Sequence, residues 1–175
     1  MSTRSYICKE LPNGKYKTIY CHSDGYIDYN GAILHEVYNT EKKVDKLLSL
    51  GNLSSLGVTT EPNKKHEHNF DHRQQYVCVA YGRDRQETDQ EARELSLQQM
   101  FKNTWIEYFY LFDKDGKWLV SSAYFPNEKD VELLSEESLK ATFKPLEAEV
   151  AKECTDEWRA EIRKIEETLS ADEEM

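Results

Sequence analysis

Asn13-Gly14 and Asp115-Gly116 each lie between two β-prone runs, towards opposite ends of the first 125 residues. Both dipeptides tolerate the positive φ of a tight turn, so each pairs its flanking segments as antiparallel neighbours. The first hairpin joins Ser5–Glu10 to 15–21, and the second joins 105–112 to 117–124. Between them, Tyr76-Val77-Cys78-Val79-Ala80-Tyr81 is short and almost wholly apolar, as a central strand buried on both faces is. These segments predict an α+β domain over residues 1–125, with a mostly antiparallel sheet of about five strands and helices packed on one face.

Helical periodicity fills the intervals. Tyr26, Tyr29, Asn30, Ile33, Leu34, Val37 and Tyr38 recur every three or four residues, which gives one helix an apolar, aromatic face. Thr40 reads as the cap of a second helix with Val44, Leu47 and Leu48 buried, and Gly51 as its left-handed stop. Residues 58–75 are polar and aperiodic, which predicts a long mobile loop, and 82–85 read as a charged loop leaving the sheet.

Beyond Pro126 the sequence turns to helix formers and charge, marking 126–175 as an acidic, amphipathic helical tail. Residues 128–175 hold 16 acids and 7 bases, a net of −9, whereas the first 127 hold 17 and 16, a net of −1. Pro145 suits the first turn of a final helix of about 24 residues. Along it Leu146, Val150, Cys154, Trp158, Ile162, Ile165 and Leu169 form a narrow stripe. A stripe of that kind has to bury against its own domain, a second copy of the chain or another protein. Leu146, Val150, Trp158, Ile162, Ile165 and Leu169 are therefore the expected partner-binding residues. The charge predicts attraction to a basic protein surface and repulsion from nucleic acid and anionic membrane.

No run of about eighteen apolar residues and no apolar signal core occurs, so the expected compartment is the cytoplasm. Cys8, Cys21, Cys78 and Cys154 are widely spaced and read as reduced thiols, three of them within apolar strand-like runs.

Two clusters carry the residue types that bind ligands. His22, Asp24 and Tyr26 follow a strand and open a helix, where a histidine beside a carboxylate can serve as a general base and free N–H groups can hold an anion. Arg83-Asp84-Arg85 offers two guanidinium groups suited to phosphate or carboxylate, and Arg4 at the start of the first strand can join either cluster. The structural alternatives are a helix cap at Asp24 and a surface ion-pair cluster around Asp84. His66-Glu67-His68-Asn69-Phe70-Asp71-His72 has one residue too many for the metal motif H-x-H-x-D-H, so no metal site is expected. No complete catalytic or cofactor motif is present, hence no catalytic residue and no cofactor are predicted.

Thr3-Arg4-Ser5, Ile19-Tyr20-Cys21-His22-Ser23-Asp24-Gly25-Tyr26, Leu50-Gly51-Asn52-Leu53-Ser54-Ser55-Leu56-Gly57 and Ala80-Tyr81-Gly82-Arg83-Asp84-Arg85 together resemble a family of small phage and prophage proteins without an assigned activity. The resemblance covers residues 2–124 and excludes the acidic tail. It implies a setting in the host cytoplasm in which small accessory proteins bind host machinery, including antagonists of bacterial immunity. It also implies a shared ligand site at Arg4, His22, Asp24, Tyr26, Arg83 and Arg85. The leading expectation is a non-enzymatic phage interaction protein that inhibits a host defence or nuclease complex through its tail. Two alternatives stand beside it. One is a binder or hydrolase of a small phosphorylated ligand such as a signalling nucleotide, with the arginines on phosphate and His22 with Asp24 moving protons. The other is a structural homodimer paired through the tail helices.

Overall fold

Both glycine turns close as hairpins. Gly14 and Gly116 adopt φ of 82° and 76° in the computed structural model, which describes residues 2–174. The first turn pairs β1 (Ser5–Glu10) with β2 (Tyr16–Cys21), and the second pairs β6 (Tyr108–Phe112) with β7 (Trp118–Ser121), both antiparallel. In the second turn the Asp113 carboxylate accepts from the N–H groups of Asp115 and Lys117, fixing the bend locally.

The hairpins meet through a parallel pairing of β1 with β6, so the sheet is mixed. A second parallel contact joins β2 to β3 (Leu53–Ser55), and β4 (Val79–Ala80) closes that edge antiparallel to β3. At the other edge β8 (Lys144–Pro145) pairs with β7, while β5 (Arg93–Leu95) pairs with the start of β2 on the edge away from β1. The order is β4-β3-β2-β1-β6-β7-β8, with β5 off this path. The sheet thus has eight strands where five were expected. The additional strands are two or three residues long, too short to show alternation. The apolar run 76–81 was expected at the centre, but it contributes only β4, at an edge. Its residues Val77, Cys78, Val79 and Ala80 are nonetheless buried, because the polar segment before them folds over that edge.

Helices cover both faces of the sheet, which corrects the expectation of one helical layer. Ile7, Ile19, Cys21, Tyr110, Phe112 and Val120 face a core shared with α1 (Ala32–Glu36), α2 (Glu41–Leu48), α7 (Leu146–Glu153) and α8 (Asp156–Glu174). Alternate residues Tyr6, Cys8, Tyr16, Phe109 and Leu111 face a second core with α4 (Leu97–Phe101), α5 (Glu128–Glu132) and α6 (Glu136–Lys140). Period-two alternation sends neighbouring apolar residues of one strand to opposite faces, so strands apolar at every position need cover on both.

The tail stripe is the main correction. Leu146, Val150 and Ile162 are fully buried in the first core, and Trp158, Ile165 and Cys154 pack against it. The surface that buries the stripe belongs to the chain's own domain, so these residues are not a free partner-binding face. Leu169 lines a groove of about 500 Å3 against residues 59–77. The expected single helix is two: Cys154 is extended, and the Thr155 hydroxyl accepts from the Trp158 N–H to start α8. Among the described residues no helix is long and apolar enough to cross a membrane. All four cysteines are unpaired.

Half-buried Glu36 clamps α8 to α1 by accepting from Arg159 and from Arg163, the latter at 3.1 Å. Burial alone would raise the Glu36 pKa, but the hydrogen bond and charge of Arg159, followed by Arg163, outweigh it and hold the carboxyl below its ordinary range. A depressed folded-state pKa gives stability that is complete above the unfolded value, about 4.3, and is lost as pH falls through the folded one. Glu36→Gln is therefore expected to lower stability at pH 7 and to flatten the loss below about pH 4.3, measured by urea unfolding across pH.

Candidate functional site

The six residues expected to share a ligand site fall into three neighbourhoods. Arg4 and His22 lie on the face of the second core, at the rim where β1 begins and β2 ends. The Arg4 Nε donates to the Tyr20 hydroxyl at 3.1 Å, and its guanidinium sits 5.3 Å from the centre of the exposed Trp105 ring. The Tyr20 hydroxyl is also 2.7 Å from the His22 Nδ1. Burial, then the Arg4 charge, lowers the His22 pKa, so the imidazole is neutral near pH 7. His22 has Tyr20 rather than Asp24 as its hydrogen-bond partner, and the expected histidine–carboxylate pair does not form.

Arg83 and Arg85 lie on α3 (Tyr81–Arg85), a short helix where a charged loop was expected. Arg83 donates to Thr60 O, Cys78 O and both Asp84 oxygens, so its guanidinium ties the strand edge to the preceding loop. Asp84, almost wholly buried, also accepts from the Ala80 N–H at 2.8 Å. Arg85 pairs with Glu87 and stacks over Phe70 at 4.3 Å and Tyr81 at 5.2 Å. The ion-pair reading of Arg83-Asp84-Arg85 therefore accounts for both arginines, and no cluster with Arg4 to grip phosphate is assembled.

The same network stitches the segment expected to be mobile. His68 is buried, with Nδ1 accepting from the Gln74 N–H at 3.0 Å and Nε2 at 3.0 Å from Cys78 O. Those partners fix the neutral tautomer protonated at Nε2. The Gln74 amide donates to Asn63 O, His66 O and Glu67 O, replacing regular structure with side-chain bonds. Among the described residues no three His, Cys, Asp or Glu side chains gather as a metal site.

Asp24 and Tyr26 do come together, on the opposite face. Gly25 donates to Thr3 O at 2.9 Å and accepts from the buried Tyr110 hydroxyl at 2.6 Å, so the turn is held from both sides. A side chain at 25 would lie 2.8 Å from Thr3 O, which is why glycine is required. Asp24 adopts a left-handed backbone, φ 57°, and its carbonyl accepts from Asn30. Residues Ile27–Gly31 then form a π-turn in which Gly31 donates to Tyr26 O. Such turns are rare and occur frequently at functional sites.

This turn and the α7–α8 junction border an open depression of about 440 Å3 lined by Asp24, Tyr26, Asp28, Tyr29, Glu153, Cys154, Thr155 and Trp158. Tyr29 and Trp158 stack with ring centres 5.9 Å apart, and the Trp158 indole donates to Asp28 O at 2.7 Å. Sequence reasoning placed Asp24 and Tyr26 in a site but missed Asp28 and Glu153. It assigned Tyr29 to the apolar face of a helix and Trp158 to the stripe of expected partner-binding residues. Asp28 beside Tyr29 is the one local signal that could have marked the turn, whereas Glu153, five residues before Trp158, carries none. Comparison of the chain with protein-family models, curated proteins and solved structures finds no match.

Proposed function

We propose that this chain is a non-enzymatic phage interaction protein that inhibits a host defence or nuclease complex by presenting the exposed carboxylates of its tail helices to a basic surface. The observation that carries the reading is the sorting of charge in the tail. Three of its bases turn inward: Lys140 pairs with Glu10, while Arg159 and Arg163 pair with Glu36. Asp130, Glu137, Glu147, Glu153, Asp156, Glu157 and Glu161 are exposed and, among the described residues, make no ion pair within the chain. Fixed carboxylates of one sign favour fast, salt-sensitive encounter with a positive partner and disfavour nucleic acid. The phage setting rests on the resemblance of the four motifs. The phosphorylated-ligand alternative loses Arg83 to structural bonds, and the homodimer alternative loses the buried stripe.

The test is biological rescue. In a bacterial strain that restricts a phage by a nuclease-based defence, expressing the chain is expected to raise plaquing about tenfold or more. Glu137→Lys, Glu147→Lys, Glu157→Lys and Glu161→Lys together should remove the rescue while Tm stays unchanged. Absence of rescue in every such strain, or rescue that survives the four reversals, would overturn the reading.

A further inference from the structure

We infer that Arg4, His22 and Trp105, at the rim where β1 begins and β2 ends, bind a nucleoside phosphate, with its base on the Trp105 indole and its phosphate on the Arg4 guanidinium. This goes beyond the tail-carboxylate reading and does not depend on it, since no tail residue takes part. The site also dispenses with Arg83 and Arg85, whose guanidinium groups are absorbed by Thr60, Cys78, Asp84 and Glu87.

The three side chains are drawn together through Tyr20. Its hydroxyl lies 3.1 Å from the Arg4 Nε and 2.7 Å from the His22 Nδ1, while the Arg4 guanidinium lies 5.3 Å from the Trp105 ring centre. Arginine can only donate, so the hydroxyl accepts from Arg4 and its own proton goes to the His22 Nδ1. That bond leaves Nε2 as the protonated nitrogen of the ring. Among the described residues, neither Nε2 nor the two terminal nitrogens of Arg4 has a hydrogen-bond partner. The open edge of the cluster therefore presents donors alone, which suits an anion.

The charge of Arg4 is uncompensated as well. The chain has a net charge of −10, yet half-buried Arg4 makes no ion pair among the described residues and is held by a tyrosine and a tryptophan instead. Its field is felt at His22, whose pKa is lowered by burial and then by Arg4, so the neighbouring imidazole serves as a neutral donor rather than a competing cation. Trp105 completes the site from the segment before β6. It is 70% exposed but fixed: its N–H donates to the Asn103 Oδ1 at 3.1 Å, and the Asn103 amide donates to the Tyr6 hydroxyl at 2.9 Å, which ties the loop to the second core. A fixed indole in water offers a planar apolar face on which a base stacks, and the guanidinium fork matches phosphate oxygens. Inorganic phosphate or a carboxylate side chain would leave the indole uncovered. A cation would meet Arg4.

A free nucleotide and a single strand of nucleic acid share this chemistry, and the net charge of −10 disfavours the polyanion. Full-length chain labelled with 15N should be titrated at matched ionic strength with each of the four ribonucleoside monophosphates, with the unphosphorylated nucleosides, with inorganic phosphate and with a short single-stranded RNA. The indole N–H signals of Trp105, Trp118 and Trp158 and the backbone amide of His22 are followed. At least one monophosphate is expected to move Trp105 and His22 saturably, with half-saturation below about 1 mM, while Trp118 and Trp158 stay in place. The matching nucleoside and inorganic phosphate should each bind about tenfold more weakly or worse. Arg4→Gln, and separately Trp105→Ala read at His22, should weaken the monophosphate about tenfold or more, with the unmoved Trp118 and Trp158 signals reporting an intact fold. Tighter binding of the monophosphate assigns the free nucleotide, and tighter binding of the RNA assigns a strand. The proposal is overturned if no monophosphate moves Trp105, if inorganic phosphate alone reproduces the movement, or if both variants bind unchanged.

Discussion

Leu146→Ala is expected to cost about 3 kcal/mol of folding stability, read as a lowered urea midpoint at unchanged slope. The side chain is wholly buried in the first core, where its Cδ1 lies 3.4 Å from the position a Cβ on Gly31 would take. Tyr110 crowds the same glycine, its hydroxyl 3.2 Å from that position, so strand, π-turn and tail interlock at one point. Truncation there removes transfer energy and leaves a cavity that rigid neighbours fill poorly. A tail helix waiting for a partner would show almost no change. Leu133→Ala, at a site 85% exposed, is the matched control and should stay within about 0.5 kcal/mol of wild type. The comparison also bears on experiments that delete the tail: loss of binding after deletion would report a broken core before it reported a lost interface.

Gly51→Ala should cost about 3 kcal/mol or more, and two separable terms make up the loss. Gly51 has φ 73°, a backbone that costs an L residue about 1–2 kcal/mol. The added Cβ would also lie 2.2 Å from Gln90 O and 2.9 Å from its carbonyl carbon, against backbone that cannot swing aside. Gln90 is fixed there because its carbonyl accepts from the Asn52 N–H at 2.8 Å while its side chain accepts from the Asn52 amide. Asn52 in turn accepts from the Tyr20 N–H, so a displaced Gln90 disturbs the β2–β3 junction. Gly14→Ala isolates the first term, since Gly14 has φ 82° and nothing within 4 Å of an added Cβ. Urea unfolding of both variants should therefore show Gly51→Ala the more damaging, and equal losses would mean that the contact with Gln90 carries no energy.

These two glycines mark the limit of what a linear reading can recover. The left-handed stop at Gly51 follows from its place after Val44, Leu47 and Leu48, because a helix end and its turn involve consecutive residues. The approach of Gln90 does not, because it joins segments far apart in the chain. The site divides in the same way. Asp24 and Tyr26 stood out as a turn bearing chemistry, yet their company is Glu153 and Trp158 from the tail, while His22, two residues before Asp24, faces the other side of the sheet. Arg83 and Arg85 had the composition of a phosphate grip, and only three-dimensional neighbours reveal that Asp84, Thr60, Cys78 and Glu87 absorb them.

By itself the sequence determined the local geometry: two hairpins at Asn13-Gly14 and Asp115-Gly116, a cap at Thr40, and a tail whose stripe had to be buried. Each of these is set by the φ preferences and hydrogen bonds of residues within one turn of chain. The tertiary structure alone decided which surface receives the stripe, that helices cover both faces of the sheet, and that β1 runs parallel to β6. Those choices depend on matching apolar areas between segments separated by a hundred residues or more, and on which charged groups find partners once the areas meet. Periodicity states that an area must be covered, whereas shape and charge across the assembled core select what covers it.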